Sequence, residues 1–337
     1  MKHRCCLFFS LLCLMLTACR HHNKPISFYY WKTQFSLNEF ENNILKQQDV
    51  TTLYVRYFDI DFAAEAAQPA PVSPIHLDTS IKHFKVVPVI FIKNRTFERL
   101  DSAAIITMAA NTRQLVDQIN QSQHISTSEI QFDCDWTERT RNNFFLFIRH
   151  YRTISKQVIS STIRLHQVKY KERAGIPPVD YGVLMYYNMG TISADDLNSI
   201  YEQSIANRYN SFIKSYPLQL DVALPVFSWS FTIREGKVVE LLNKIDFASF
   251  NNDSNFIRAG INRFKAKHSC FKAGHYFKAN DEIKQEHVPV NSLLDITDQI
   301  NRYSNLRIGK LIFYDLDSSN LIQYEKDLFE KIRSNVN

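Results

Sequence analysis

Two aspartates separated by one residue are the side chains most suited to chemistry. Asp133 and Asp135 lie in an apolar run, Glu129–Trp136, whose residue types are typical of a β-strand. Alternate side chains of a strand point to the same face, so both carboxylates are predicted to share one face, opposite Cys134. Two carboxylates on an inward face need a counter-charge or a shared proton, and such pairs occur at acid–base sites.

Arg56, in the middle of the earlier run Thr52–Ile60, is the predicted counter-charge for these aspartates. The alternative is a purely structural network of aspartate and arginine in the core. A further carboxyl, Glu138, would point away from the aspartates in an extended strand. It could act only if the chain turns directly after Trp136. Asp135 and Glu138 are therefore the candidate catalytic acids.

Three later apolar runs contain residues that could hold a ligand. They are Tyr187 and Asn188 in Tyr181–Asn188, Trp229 in Leu218–Trp229, and Tyr314 in Lys310–Leu316. Trp229 belongs to the polar and aromatic half of its run, which alternates with an aliphatic half, so it is predicted to face the interior. Its ring could be a platform for a sugar or a plug beneath a neighbouring segment. With Asp133 and Arg56, these four residues form the candidate ligand-binding set.

The runs that carry these residues alternate with amphipathic stretches, which predicts parallel strands joined by helices. Eight runs occur: Ile26–Trp31, Thr52–Ile60, Phe84–Ile92, Glu129–Trp136, Thr162–Tyr170, Tyr181–Asn188, Leu218–Trp229 and Lys310–Leu316. Eight strands predict an α/β fold, the (β/α)₈ TIM barrel, whose ligand site lies at the C-terminal strand ends. The alternative is an open doubly wound sheet. The barrel is favoured because a final helix follows the eighth run and no glycine-rich phosphate turn follows the first.

One segment, 231–305, is too long for a single loop and helix between the seventh and eighth strands. It contains a predicted hairpin around Gly236 and alternating aromatic residues within Arg263–Glu286. We predict a small β-rich subdomain inserted on the rim that carries the active-site loops. The barrel itself is predicted to span 26–337.

The order of these motifs resembles the chitinase-like family 18 of glycoside hydrolases. The segment FDCDWTE is similar to the DGIDIDWE strand of that family, MYYN to its MxYD strand, ALPVFSWSF to GxPFYGRxF, and GKLIFYDLD to GVMIWxxD. The resemblance covers most of Ile26–Ile332. It implies a TIM barrel with an insertion after the seventh strand and a cleft that binds a glycan.

The sequence departs from that family at the residues that perform the reaction. Thr137 stands where the resemblance places the catalytic glutamate, Ile130 replaces the first aspartate, and Asn188 replaces the aspartate of MxYD. In the family the glutamate protonates the leaving oxygen, and the neighbouring aspartate positions the substrate acetamido group that acts as nucleophile. The resemblance therefore implies the fold and the cleft more than the reaction.

Three functions remain open on these grounds. The first is a glycan-binding or catalytically vestigial barrel. The second is an active glycosidase that uses relocated carboxylates, Asp135 or Glu138. The third is a structural lipoprotein of the envelope whose insertion docks a partner. No cofactor or metal is expected for any of them.

The N-terminus predicts export and lipid anchoring. Two basic residues precede an apolar segment, Cys5–Leu16, which is too short to span a bilayer. It runs into Leu-Thr-Ala-Cys, the lipobox pattern, in which Cys19 takes a diacylglycerol after cleavage. We therefore expect a signal peptide at 1–18 and a polar tether at 19–25. No aspartate follows the cysteine, so by resemblance to lipoprotein sorting rules we expect the outer membrane.

Composition limits the partners. The net charge is +6, with lysine and arginine scattered among acidic residues, so nucleic acid is not implied. Beyond the lipobox only Cys134 and Cys270 remain, too few for a disulfide framework. The expected partners are a glycan or another ligand of the cell envelope, and the membrane through the lipid anchor.

Overall fold

The computed structural model describes residues 24–62, 68–242, 245–303, 309–325 and 327–336. The predicted signal peptide, Cys19 and residues 20–23 of the predicted tether lie outside the described residues.

The described strands form one large, mainly parallel sheet, an antiparallel sheet of five strands and a separate two-stranded hairpin. In chain order the strands are β1 (Ile26–Tyr30), β2 (Thr52–Phe62), β3 (Pro69–Val72), β4 (Lys85–Ile92), β5 (Glu129–Asp133), β6 (Val158–Arg164), β7 (Tyr181–Met185), β8 (Leu220–Pro225), β9 (Ser228–Arg234), β10 (Lys237–Leu242), β11 (Phe256–Gly260), β12 (Arg263–Ala266), β13 (Cys270–Lys272), β14 (His275–Phe277), β15 (Glu282–His287) and β16 (Leu311–Tyr314).

The described helices lie mostly between the strands of the large sheet. They are α1 (Glu39–Gln47), α2 (Arg95–Arg99), α3 (Ser102–Ser122), α4 (Arg141–Ile154), α5 (Leu165–Lys169), α6 (Lys171–Ala174), α7 (Gln203–Ala206), α8 (Asn210–Ile213), α9 (Val290–Tyr303), α10 (Ser318–Leu321) and α11 (Leu328–Asn335). Within the described ranges, no helix combines the length and the apolar character needed to cross a bilayer.

The large sheet closes into a barrel because β1 pairs in parallel with two strands. Phe28 is in register with Leu53 of β2 on one side and with Phe313 of β16 on the other. The order β1-β2-β4-β5-β6-β7-β8-β16 then returns to β1, with every neighbouring pair parallel. The short strand β3 adds to β2 in antiparallel orientation. The predicted (β/α)₈ barrel is therefore confirmed.

Side chains of the strands alternate between the barrel interior and the helices. Inside, the Tyr29 hydroxyl donates to Gln131 Oε1 at 2.7 Å, and the Tyr29 ring lies 5.3 Å from that of Tyr54. Outside, Phe132 packs edge-on against Phe147 of α4 at 5.0 Å. This alternation fills the centre of the barrel and buries the inner faces of the helices.

The fifth barrel strand lies earlier in the sequence than predicted. The run Thr162–Tyr170 was expected to be the strand, but the strand is Val158–Arg164 and the helix Leu165–Lys169 follows at once. At the junction, the Gln167 side chain accepts a hydrogen bond from the backbone N–H of Arg164 at 2.9 Å. The shift places Arg164 at a strand end, where side chains line the barrel mouth.

The inserted β-rich sheet follows β8, as predicted. Its strands run in the order β10-β9-β15-β12-β11, all antiparallel, beside the separate hairpin β13–β14. The predicted hairpin around Gly236 is present, with positive φ at both Glu235 and Gly236, and glycine adopts this conformation readily. A small core of its own contains Phe250, Phe264 and Phe277.

The bounds of the inserted sheet differ from the predicted segment 231–305. The sheet already begins at Ser228, and its last strand ends at His287. The following residues form α9, whose Leu293 and Ile296 are buried in the barrel core. The C-terminal part of that segment therefore packs with the barrel.

A buried lysine fixes the inserted sheet to the barrel. Lys284 Nζ lies 2.7 Å from Glu286 Oε1, and both side chains are almost fully buried. The same nitrogen donates to the backbone carbonyls of Asp195 and Leu197, each at 2.8 Å, in the loop after β7. Glu286 Oε2 accepts the backbone N–H of Ser199 at 3.0 Å. All three ammonium protons are thus engaged, which offsets the loss of hydration.

We expect Lys284→Met to destabilise the protein by about 3–5 kcal/mol, because it leaves Glu286 charged, buried and without its cation. Urea unfolding followed by circular dichroism measures the loss. Lys331→Met, which removes an exposed lysine paired with Asp327, is the control and should change the midpoint little. Equal losses in the two variants would contradict the anchoring role of Lys284.

Candidate ligand-binding cleft

Asp133, the last residue of β5, lies inside the barrel as its alternation predicts. Its side chain is buried, and Oδ1 accepts a hydrogen bond from Thr162 Oγ1 at 2.6 Å. Burial raises the pKa of Asp133, and the charges of Asp135 and Asp59 add to the rise, while Arg164 and Thr162 lower it. Burial has the largest effect, so the environment favours the neutral carboxyl.

The predicted partnership of Arg56 with the aspartates of β5 is wrong. Arg56 Nε donates to Asp59 Oδ1 at 2.7 Å instead. In a regular strand, residues three apart face opposite sides, but the register of β2 against β4 shifts between Arg56 and Phe58. This bulge inserts one extra residue, so Arg56 and Asp59 share a face. The cation that lowers the pKa of Asp133 is instead Arg164, at the end of β6.

Asp135 lies beyond the end of β5, at the rim of the barrel mouth. Its side chain is more than half exposed, and Oδ1 is 3.6 Å from Nε2 of His166. Burial lowers the pKa of His166, although the charge of Asp135 opposes the shift. The two aspartates therefore do not lie side by side in the barrel interior. Asp133 is buried, and Asp135 is exposed to solvent at the rim of the cleft.

The chain turns immediately after Trp136, yet Glu138 does not enter the cleft. Thr140 Oγ1 accepts the backbone N–H of Thr137 at 2.9 Å, and helix α4 begins one residue later. Glu138 is exposed and forms an ion pair with Arg173 at 2.9 Å. Trp136 is buried, and its indole N–H donates to the carbonyl of Ala174. Neither Thr137 nor Glu138 lines the cavities at the mouth.

Aromatic side chains line the opposite half of the mouth. Tyr187 and Tyr314 are stacked, with ring centroids 5.5 Å apart, and Phe227 packs edge-on against Tyr314 at 5.4 Å. Trp31, just after β1, packs against Tyr314 at 5.4 Å. Asn188 also borders the mouth and has a φ of +55°, a conformation that asparagine tolerates better than most residues.

Trp229 borders the inner part of the mouth and also contacts the inserted sheet. It lies in β9 of the inserted sheet, four residues beyond the end of the barrel strand β8, and its ring is 5.3 Å from that of Phe227. Its indole N–H donates to Glu286 Oε2 at 3.0 Å. One part of Trp229 therefore borders the cleft, while the nitrogen fastens the inserted sheet.

These residues enclose two adjoining cavities at the C-terminal ends of the strands. The outer cavity, about 240 Å³, is lined by Asp135, Arg164, Leu165, His166, Tyr187, Asn188, Met189 and Tyr209. The inner cavity, about 190 Å³, is lined by Trp31, Asp133, Arg164, Met185, Tyr187, Asn188, Phe227, Trp229 and Tyr314. Both contain Arg164, Tyr187 and Asn188. Five of the six predicted ligand-binding residues thus line this cleft, and the sixth, Arg56, does not.

Sequence reasoning missed Arg164, Thr162, His166 and Trp31. Thr162 and Arg164 alternate with the buried Ile163 along β6, a signal of the same kind that located Asp133. The signal was hidden because the fifth run was placed too late in the chain. His166 follows the strand in α5, and no spacing rule pointed to it.

The lining of the cleft is rich in aromatic side chains, with a few polar groups. Among the residues that the structure describes, no three His, Cys, Asp or Glu side chains are arranged to hold a metal ion. The lining combines aromatic surface with a few polar groups, which is typical of sites for small organic ligands.

Comparison with known proteins supports the fold. No protein-family model matches the sequence, and no curated protein matches it significantly. Solved structures do match: the spore cortex-lytic enzyme SleL of Bacillus cereus (13% identity, TM-score 0.55, 93% of this chain and 74% of that one) and SleL of Bacillus megaterium (12%, 0.57, 95% and 76%). A chitinase of Chromobacterium violaceum also matches (12%, 0.53, 93% and 99%).

These structures define the class of fold: the chain has a closed TIM barrel similar to theirs, with an additional β-rich sheet. At these identities the likeness concerns the fold alone. What the cleft does must therefore be inferred from the residues that line it.

We expect Thr162→Val to destabilise the protein by about 1–3 kcal/mol, because it removes the hydrogen bond to a buried carboxyl. The loss should grow as pH rises. The bond lowers the pKa of Asp133, so its removal raises the folded-state pKa further, and a carboxyl with a raised folded-state pKa loses stability on deprotonation.

Urea unfolding at pH 5 and pH 8 measures this effect. Thr107→Val is the control, because the exposed Thr107 hydroxyl bonds only within its own helix, to the carbonyl of Ala103. A Thr162→Val deficit that is the same at both pH values would contradict the assigned coupling to Asp133.

Proposed function

We propose that the barrel binds a glycan in the cleft at its mouth and does not hydrolyse it. Trp31, Trp229 and Tyr314 offer ring surfaces on which a sugar could pack, and Asp133, Arg164 and Asn188 offer polar groups beside them. Sites that combine flat apolar surface with a few fixed polar groups select a ligand by shape and by hydrogen bonds. Proteins that share the fold include a chitinase and cortex-lytic enzymes, which supports a saccharide as the ligand.

The absence of a carboxyl at the position that the family resemblance assigns to the acid carries the non-catalytic part of this proposal. General acid catalysis needs a proton donor within hydrogen-bond reach of the leaving oxygen. The position that the family resemblance assigns to the acid is Thr137, whose hydroxyl has no usable acidity. The next carboxyl, Glu138, is held by Arg173 on the outside of the barrel. A ligand in the cleft would therefore be bound without protonation at that point.

An active glycosidase is the second candidate, and one residue favours it. Burial, reinforced by the charge of Asp317, raises the pKa of Asp315 to about 6, in the range of a general acid. Asp315 borders two grooves, one with Trp31 and one with Trp229. Any hydrolysis that is lost in Asp315→Asn, or in Asp135→Asn at the rim, would favour this candidate.

The third candidate function, docking of a partner by the inserted β-rich region, is supported only by exposed aromatic side chains. In the hairpin β13–β14, Phe271 is 78% exposed and packs against Tyr276 of the opposite strand at 4.9 Å. Exposed aromatic pairs of this kind occur at protein interfaces. The pair lies outside the cleft lining, so docking and glycan binding are compatible.

We further propose that the protein is a lipoprotein of the cell envelope, anchored through Cys19 and placed in the outer membrane. The support is the order of charged segment, apolar segment and Leu-Thr-Ala-Cys in the sequence. Several acyl chains, at about 0.8 kcal/mol per buried CH₂ group, would hold the barrel at a membrane surface.

Cys19→Ala should abolish lipidation and leave an unprocessed precursor, because the acceptor sulfur is lost. Metabolic labelling with palmitate, followed by gel electrophoresis, measures both. Cys270→Ala removes a thiol far along the chain and should keep the label. Label retained on the Cys19→Ala protein would refute the lipid anchor.

Purified protein should bind chitooligosaccharides without releasing shorter products, because the acid position is Thr137. Isothermal titration calorimetry measures binding, and chromatography of the same mixtures detects hydrolysis. Trp229→Ala should weaken binding on the order of tenfold, about 1.4 kcal/mol. Trp229→Phe keeps a ring and should lose less, which separates ring contact from loss of the indole hydrogen bond. Turnover by the wild-type protein would overturn the non-catalytic proposal.

A further inference from the structure

Arg164 is a half-buried cation that lines both cavities, and one of its N–H donors has no partner among the described residues. Its Nε is buried, and no hydrogen-bond partner for that atom exists among the described residues. The nearby Asp133 Oδ1 accepts from Thr162, and Asp135 lies beside His166. Arg56, the other arginine of the barrel interior, is paired with Asp59. Arg164 therefore lines both cavities and carries one N–H donor that no described residue satisfies.

Leaving such a group unpaired is energetically unfavourable. A guanidinium remains charged at any physiological pH and carries five N–H donors in a fixed plane. Burying a charged donor without an acceptor costs more than a hydrogen bond returns when it forms. An acceptor supplied by a ligand would remove this penalty. The unpaired donor therefore indicates that the ligand carries a hydrogen-bond acceptor.

The acceptor that best fits a guanidinium is a carboxylate. Its two oxygens match two parallel N–H donors, and the charge strengthens both bonds. A hydroxyl or an amide carbonyl offers a single, neutral acceptor. Asp133 and Asp135 oppose an anion by their charge, but burial raises the pKa of Asp133 and favours its neutral form. The other carboxyl, Asp135, is more than half exposed at the rim, where solvent screens its charge.

We propose that the cleft selects saccharides bearing a carboxylate, and that Arg164 binds this group. The inference rests on the proposed glycan-binding function and deepens it. Because Arg164 lines both cavities, the carboxylate would lie between them. The sugar ring next to it would then lie in the inner cavity against Trp229 and Tyr314. Specificity for an acidic saccharide thus comes from one side chain, and the aromatic residues supply contact area.

The test uses the detergent-solubilised full-length protein and matched ligands that differ only in charge. One pair is the disaccharide N-acetylglucosaminyl-N-acetylmuramic acid and its methyl ester. The other is an N-acetylglucosamine–glucuronate disaccharide and its methyl ester. Calorimetry should show at least one acid binding roughly tenfold to a hundredfold tighter than its ester. The preferred pair identifies whether a lactyl ether or a uronic acid supplies the carboxylate.

Arg164→Gln should remove the preference for the acid and leave binding of the ester nearly unchanged. Arg164→Lys keeps the charge without the planar donors and should retain only part of the preference. Arg152→Gln is the control, because Arg152 pairs with Asp180 at the other end of the barrel and should keep the full preference. Thermal unfolding by circular dichroism confirms that each variant is folded.

Equal binding of acid and ester by the wild-type protein would overturn the role of Arg164 while leaving glycan binding intact. A preference that survives in folded Arg164→Gln would also overturn it. Failure of every saccharide to bind, chitooligosaccharides included, would overturn the proposed function itself, and this inference with it.

Discussion

The strand Ile26–Tyr30 pairs in parallel with β2 on one side and β16 on the other, and this double pairing closes the sheet. An open sheet of the same strands would have two edges and its ligand site at a crossover. A closed ring instead brings every strand end to one mouth. Residues as distant in sequence as Trp31, Asp133 and Tyr314 therefore line one cavity. The polar groups at that mouth have few partners to choose from, because the interior is filled by side chains.

That scarcity of partners decides the electrostatics of the cleft. The bulge in β2 turns Asp59 toward Arg56, so this pair is satisfied within one strand. Asp133 receives a hydrogen bond from the neighbouring strand, and burial favours its neutral form. Arg164 is left as the cation whose donors face the cavities. A site that places a guanidinium beside both cavities and raises the pKa of its buried acid is suited to hold an anion.

The sequence was sufficient for the barrel, the inserted sheet and most of the cleft, because alternation along a strand reports which side chains face inward. Asp133, Tyr187 and Tyr314, at or just beyond the ends of barrel strands, line the inner cavity, together with Trp229, which lies in β9 of the inserted sheet. The pairing of Arg56 could not be predicted, since a bulge changes the alternation and leaves no sign in one sequence. Arg164 was missed for a different reason. Val158 and Ile159 suit the end of a helix as well as the start of a strand, and the strand was placed too late.

The inserted sheet and the cleft share one side chain, so ligand binding and docking of the sheet are linked. Trp229 borders the inner cavity, while its indole N–H is held by Glu286, which Lys284 neutralises. A ligand that packs on the Trp229 ring stabilises the docked position of the sheet. By reciprocity, docking of the sheet strengthens ligand binding by the same free energy. Forming the buried ion pair between Lys284 and Glu286 costs free energy of desolvation. The pair nevertheless holds the ring of Trp229 in place before a ligand binds, whereas a mobile loop would have to become ordered on binding. An ordered ring of this kind improves affinity, because less conformational entropy is lost when the ligand arrives.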